Sequence, residues 1–326
     1  MRLLLLAALC LLAVPASAQS ASGFYDQDEL GEMLYANRDS LENIPNVQFR
    51  YHVVQHADDN SVLGRLEMYR AVGDGNVRLG RERLTGPVEF FNGVRLNNLS
   101  IGDSLIVPDH YGLDFRAFAP FPRHYAGAEA FDKLFIIHKG VQAWAAYEHG
   151  DLVRWGIVNT GKAASPTPAG RYNFNWQEPE RVSTLSPPGE RWLMRWVFDF
   201  YHERGIHTHQ YSMPIGEPAS HGCVRMIMAD ARWLYSWADP WVTTVGRGDQ
   251  GVRTAEGRIL QQGTTVLVLG DGEEPEGGMA QRFINVEGTP MIRIAELPED
   301  PYSVPAGSPQ QVAFDRARQQ QPRGTN

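Results

Sequence analysis

Apolar positions along this chain change their period several times, and the changes divide it into units. Leu3 to Val14 is an unbroken apolar run, preceded by Arg2 and followed by Ala16-Ser17-Ala18. A charged start, a short apolar stretch and a small-x-small end make residues 1–18 a secretory signal cleaved after Ala18. The run is short for crossing a bilayer, and no later segment approaches that length, so no transmembrane anchor is expected in the mature chain. From Asp26 the period turns helical. Leu30, Met33, Leu34 and Leu41 recur near helical spacing behind Asp26, Asp28 and Glu29, whose charges suit a helix N-terminus. Pro45 closes that helix, and residues 19–46 are read as a packing element without chemistry.

Residues 47–110 form a small α+β unit, with apolar runs at Tyr51–Val54 and Leu99–Pro108 and a turn at Gly73-Asp74-Gly75-Asn76. Between 111 and 132 the aromatics Tyr111, Phe115, Phe118, Phe121 and Tyr125 are interleaved with Pro120 and Pro122. Prolines at that density prevent regular structure, so this is a linker packed against a neighbour. Short apolar or alternating runs then follow at Leu134–Ile137, Ala143–Tyr147, Leu152–Val158 and Arg171–Trp176. Trp192, Met194, Trp196, Phe198 and Phe200 occupy alternate positions and predict a strand with one aromatic face. Asp230 opens a helical period through Ala231, Leu234, Tyr235 and Ala238 that Pro240 stops, and Thr264–Leu269 supplies a closing strand. Residues 133–270 are therefore a mostly β domain with a short helix. The extension 271–326 lacks apolar content from about Pro298 onward, which predicts disorder at its end.

Composition narrows the choice of partner. The formal net charge is -8, and Arg2 is the only charged residue of the signal. An acidic chain of this kind is a poor match for the phosphates of nucleic acid. Of the two cysteines, Cys10 lies inside the apolar leader, which leaves Cys223 alone in the mature chain. An unpaired cysteine in an oxidising compartment invites modification unless its reactivity is used.

The surroundings of Cys223 supply that use. Gly205-Ile206-His207-Thr208-His209 and Ser220-His221-Gly222-Cys223-Val224-Arg225 bring a thiol, candidate bases and a glycine together, as an activated nucleophile with an oxyanion site requires. Ser-His-Gly-Cys followed by an apolar residue and Arg, with Ile-His upstream, resembles the L,D-transpeptidases of the YkuD type. The resemblance extends back through Asn159-Thr160-Gly161-Lys162 and Pro166-Thr167-Pro168-Ala169-Gly170. It implies a β-sandwich over residues 133–270 and acyl transfer on peptidoglycan stem peptides without cofactor or metal. Cys223 would be the nucleophile and His207 the general base, with His209 the second candidate. The carbonyl of Thr208 would orient the ring, and the N–H groups of Gly222 and Cys223 would hold the oxyanion. Ser220, His221, Arg225 and His209 would meet the substrate.

The edges of residues 47–110 are similar to those of a LysM module, a βααβ domain that grips glycan strands; a plain α+β spacer stands beside that reading. Three other functions compete at the site. His207, His209, His221 and Cys223 make four potential zinc ligands. A non-catalytic peptidoglycan-binding protein would need neither thiol nor base. The same dyad acting with water would make an L,D-carboxypeptidase. In each, an extracytoplasmic location follows from the signal.

Overall fold

The computed structural model describes residues 26–212, 216–243, 259–270, 284–285, 291–292 and 294–320. The expected signal at 1–18 lies outside them. At the centre of the fold is a pair of stacked sheets. One is built from β3 (Leu134–His138), β4 (Ala143–Glu148), β5 (Asp151–Ile157), β6 (Gly170–Asn173) and β13 (Thr265–Leu269), in the order β5-β4-β3-β13-β6. The other is built from β7 (Gln177–Val182), β8 (Leu193–Tyr201), β9 (Ile206–Gln210) and β10 (Val224–Met226), in the order β10-β9-β8-β7. A short antiparallel pair, β11 (Val242–Thr243) with β12 (Ile259–Gln261), precedes β13 in the chain. The Thr264–Leu269 run forms the expected strand; β13 lies parallel to β3 and antiparallel to β6, in the interior of its sheet.

Period-2 geometry sends alternate side chains of these strands to opposite faces. Phe135 and Ile137 of β3 with Val266 and Val268 of β13 meet Phe198, Phe200 and Val224 between the sheets. Leu134, Ile136 and Leu267 point the other way, into a second core shared with the N-terminal third of the chain. Both faces of the five-stranded sheet are buried, which is why its strands read as near-continuous apolar runs.

That N-terminal third consists of helix α1 (Gln27–Leu34), strands β1 (Phe49–Val53) and β2 (Ser104–Pro108), paired antiparallel, and three helices between them: α2 (Ser61–Val72), α3 (Val77–Leu84) and α4 (Pro87–Asn92). The LysM resemblance implied two. α1 is also shorter than its apolar spacing predicted. Asp26 caps it, accepting from the N–H groups of Asp28 and Glu29, but the helix ends at Tyr35, whose hydroxyl reaches across to Asp230 at 2.6 Å. The Pro/aromatic linker forms only two 3-10 turns among these residues, and it is interior: Phe115 stacks on Trp155 at 4.5 Å and 4°.

Two further expectations need correction. The aromatic alternation of β8 breaks at Trp196, which has φ 52°, and the register with β9 shifts between Arg195 and Phe198. The bulge turns Met194 and Val197 toward Trp176 and Trp241, while Phe198 and Phe200 enter the core between the sheets. Residues 299–320, in a stretch expected to be disordered, fold onto the five-stranded sheet. Tyr302 stacks on Phe131 at 5.2 Å, Ala306 bridges to Arg171, and Asp315 of the helix Pro309–Gln320 pairs with Arg171 at 2.7 Å. Low apolar content did not prevent order, because a buried arginine supplies the anchor.

Candidate active site

β9 and β10 run parallel with Val224 opposite Thr208, which sets Cys223, just before β10, beside His207. The Cys223 Sγ lies 3.4 Å from His207 Nδ1. On the other side of β9, the register with β8 places Asp199 directly opposite His207, and the His207 Nε2 is 3.9 Å from Asp199 Oδ2. The result is a cysteine–histidine dyad with a buried carboxyl behind it. His209, two residues along the same strand face, is turned to its own neighbour: its Nδ1 is 2.8 Å from the Gln210 carbonyl.

The turn that presents the thiol is fastened by the two motifs upstream of it. The Thr160 carbonyl accepts from the N–H groups of Ala219 and Ser220 at 2.9 and 3.0 Å, and the Lys162 N–H donates to the Ser220 carbonyl at 3.0 Å. Asn159 exchanges backbone hydrogen bonds with Arg225 at 3.0 and 3.2 Å. The buried Thr167 hydroxyl donates to the Gly222 carbonyl at 2.7 Å and accepts from the Gly161 N–H at 2.9 Å. Ser220 closes the turn from within, its hydroxyl accepting from the Gly222 N–H at 3.0 Å and donating to the Cys223 carbonyl.

This arrangement revises several expected roles. The Gly222 N–H is engaged by Ser220 and is not free for an oxyanion, whereas the Cys223 N–H meets no acceptor among the described residues. Gly222 is required by its φ of 116°, not by close approach, since a Cβ there would find its nearest neighbours at 3.8 Å. The Thr208 carbonyl receives no hydrogen bond from the His207 ring; the group facing the far ring nitrogen is Asp199. Asp199 was not singled out from sequence, although a lone acid between Phe198 and Phe200 on a core strand is a signal that could have found it.

A cleft of about 260 Å³ opens at the dyad, walled by Trp176, Arg181, Met194, His202, Arg204 and His221 among others, with no acidic side chain in its lining. Trp176 stands edge-on to His207 at 5.4 Å, and Arg181 covers Trp176 at 4.8 Å while pairing with Glu178 at 2.8 Å. Of the four expected substrate contacts only His221 lines this cleft, exposed beside Lys162 at 3.3 Å and stacked on Trp192 at 6.4 Å. Ser220 and His209 are buried, and the Arg225 guanidinium lies over Tyr211 at 4.1 Å. With His209 and His221 so placed, the four candidate zinc ligands do not converge; among the described residues no group of three or more His, Cys, Asp or Glu could hold a metal.

Burial dominates the electrostatics and favours the neutral form of every member. It pushes the His207 imidazole down to about 3, helped by His209 and Arg181. It raises Asp199 to about 8 against the Asn175 hydrogen bond, and raises the Cys223 thiol against the pull of His207. A thiol and imidazole, both uncharged and in contact, can pass a proton without taking a net charge out of water, provided that the ring nitrogen facing the sulfur carries the lone pair.

Residues 132–268 match the family model YkuD, the L,D-transpeptidase catalytic domain. A search of the curated proteins found no match. Among solved structures, the chain is similar to an L,D-transpeptidase from Stackebrandtia nassauensis at 23% identity, covering 43% of this chain and 58% of that one with a TM-score of 0.32. It is similar to one from Mycobacterium smegmatis at 17% identity, covering 43% and 59% with a TM-score of 0.31. A third, from Xylanimonas cellulosilytica, is 22% identical over 69% of this chain and 98% of its own, with a TM-score of 0.33. The chain thus spans less than two thirds of the Stackebrandtia and M. smegmatis proteins.

Proposed function

We propose that this chain is a peptidoglycan L,D-transpeptidase. The observation that supports it most directly is the Cys223–His207 contact at 3.4 Å, opening on a cleft inside the YkuD-matched segment. The thiol proton passes to His207 Nδ1, and the thiolate attacks the carbonyl of the diamino acid at stem position three. The Cys223 N–H is the donor available to the developing oxyanion. Collapse breaks the amide, the imidazolium gives its proton to the departing D-alanine amine, and a thioester remains on Cys223. An amine of a second stem peptide then takes the acyl group, forming a 3→3 link and returning the proton through His207. Thiol and imidazole suffice for these steps.

The reading is tested with purified protein and tetrapeptide muropeptides, the products being separated by mass spectrometry. Dimers with release of D-alanine are expected, and Cys223→Ala should give none. Tripeptide without dimer would reassign the acceptor to water and the enzyme to L,D-carboxypeptidase. Residues 47–110 would add grip on the glycan strands. Pelleting of the full-length Cys223→Ala protein with sacculi, weakened by N-acetylglucosamine oligomers, checks that role, and pelleting indifferent to them leaves the unit a spacer. An extracytoplasmic location follows from residues 1–18, and the mature protein should begin at Gln19. Among the described residues, no helix is long and apolar enough to cross a membrane.

A further inference from the structure

We propose that Asp199 is a positioning residue of this dyad, its carboxylate holding the ring proton of His207 on Nε2 so that the Nδ1 lone pair is left for the Cys223 thiol. The inference deepens the transpeptidase reading and rests on it. Its basis is first geometric. Asp199 is fully buried, cross-strand from His207, and its Oδ2 lies 3.9 Å from Nε2. Oδ1 is occupied, accepting from the Asn175 amide at 2.8 Å. Among the described residues, Oδ2 has no hydrogen-bond partner. A buried acceptor left unsatisfied is costly and calls for an explanation, of which a catalytic role is one. An imidazolium at His207 is such a partner.

The Asn175 bond also fixes where a proton on Asp199 would sit. Because Oδ1 receives a donor, the carboxyl hydrogen belongs on Oδ2, aimed at Nε2. Two arrangements follow. With Asp199 ionised, the ring keeps its hydrogen on Nε2, and Nδ1 can take the thiol proton; the S–H bond breaks, an N–H bond forms, and the imidazolium is paired with the carboxylate. With Asp199 protonated, Oδ2 would close the 3.9 Å gap and donate to Nε2, the ring hydrogen would move to Nδ1 and face the sulfur, and no lone pair would be left for the thiol proton.

The groups around the three members act in both directions. Arg181 on β7 favours the carboxylate and Glu203 opposes it. Arg181 and His209 oppose the imidazolium. Arg225 favours the thiolate and the Asp199 charge opposes it. Burial outweighs all of these and lifts the Asp199 carboxyl to about 8, so the competent tautomer should appear as pH rises through that value.

The test uses the full chain carrying Cys10→Ser, so that Cys223 is the only thiol, and compares it with the same chain carrying Asp199→Asn. The substituted amide can still accept from Asn175 through its oxygen, which preserves the brace, but it turns an amide hydrogen toward Nε2. Two readouts need no peptide substrate: the pH dependence of Cys223 alkylation by iodoacetamide, and the His207 tautomer from ¹⁵N NMR. Alkylation of the Asp199 protein should rise near pH 8 as the ring passes from Nδ1–H to Nε2–H. Asp199→Asn should hold the ring in Nδ1–H, move that rise up toward the thiol's own ionisation and lower turnover on the order of 10⁴-fold, the scale expected for a base held in the wrong tautomer. An unchanged alkylation profile with an Nε2–H ring in Asp199→Asn overturns the proposal. Should that variant not fold, the Asp199 protein decides alone: an Nε2–H ring at every pH overturns it, and a tautomer change near pH 8 upholds it. Failure of muropeptide turnover would sink the transpeptidase reading and leave both readouts intact.

Discussion

His207 and His209 share one face of β9, and only their partners rank them. His207 reaches the thiol, while His209 is committed to the Gln210 carbonyl and buried. His207→Ala should therefore lower kcat/KM by about 10²- to 10⁴-fold, and His209→Ala should act mainly on stability. Parallel kinetics and thermal melts of the two variants check the ranking, and the reverse order would move the base to His209. Gly222→Ala is expected to cost about 1–3 kcal/mol of backbone strain without any clash, because φ is 116° and the space around a Cβ is open. Urea titration measures that cost, and slower Cys223 alkylation should accompany it as the turn carrying the thiol shifts. The dyad was legible in sequence because nucleophile and base lie in short, distinctive motifs. Asp199 was not, since its relation to His207 depends on a register that a bulge at Trp196 displaces.

Helix α5 (Met228–Trp237) shows the same limit among the elements. The period of Ala231, Leu234 and Ala238 identified its buried face correctly. Asp230, read as its opening, instead stands inside the first turn and is fully buried, accepting from the Tyr35 hydroxyl at 2.6 Å and the Arg154 guanidinium at 2.9 Å. The cap comes from elsewhere: the Gln27 side-chain oxygen of α1 accepts from the Met228 N–H at 2.7 Å. Local sequence cannot reveal a cap supplied by a distant helix. Asp230→Ala should destabilise by about 3–5 kcal/mol, because it leaves the Arg154 charge buried without its carboxylate. A fall in the denaturation midpoint with an unchanged slope would show this, and a shift under about 1 kcal/mol would mean that Arg154 finds water.

For the molecule as a whole, sequence separated units that the structure joins. The boundaries followed changes in apolar period, yet one continuous core runs from Leu30 through Phe115 and Trp155 to Ala295. Composition hid this, because a surface that packs against another segment of the same chain looks like any other apolar run. Ending the chain at residue 293 removes the Tyr302–Phe131 stack, the Asp315–Arg171 pair and the Tyr125 hydroxyl bond to the Pro298 carbonyl. Such a truncation should lower the thermal midpoint while leaving the Cys223–His207 dyad in place, which melts and alkylation rates would report separately.

The interior position of β13 has a consequence for how the protein acquires its shape. Thr265 must find Leu134 on one side and Asn173 on the other before either core is closed, so a growing chain that stops short of Leu269 lacks the strand that joins the two halves of its main sheet. The entropy of closing so long a loop is spent before any of those contacts form. Refolding from denaturant should accordingly be slow for the chain's size, on the time range of non-local β proteins. Val266→Ala and Leu267→Ala should slow folding rather than speed unfolding if the arrival of that strand is the limiting event.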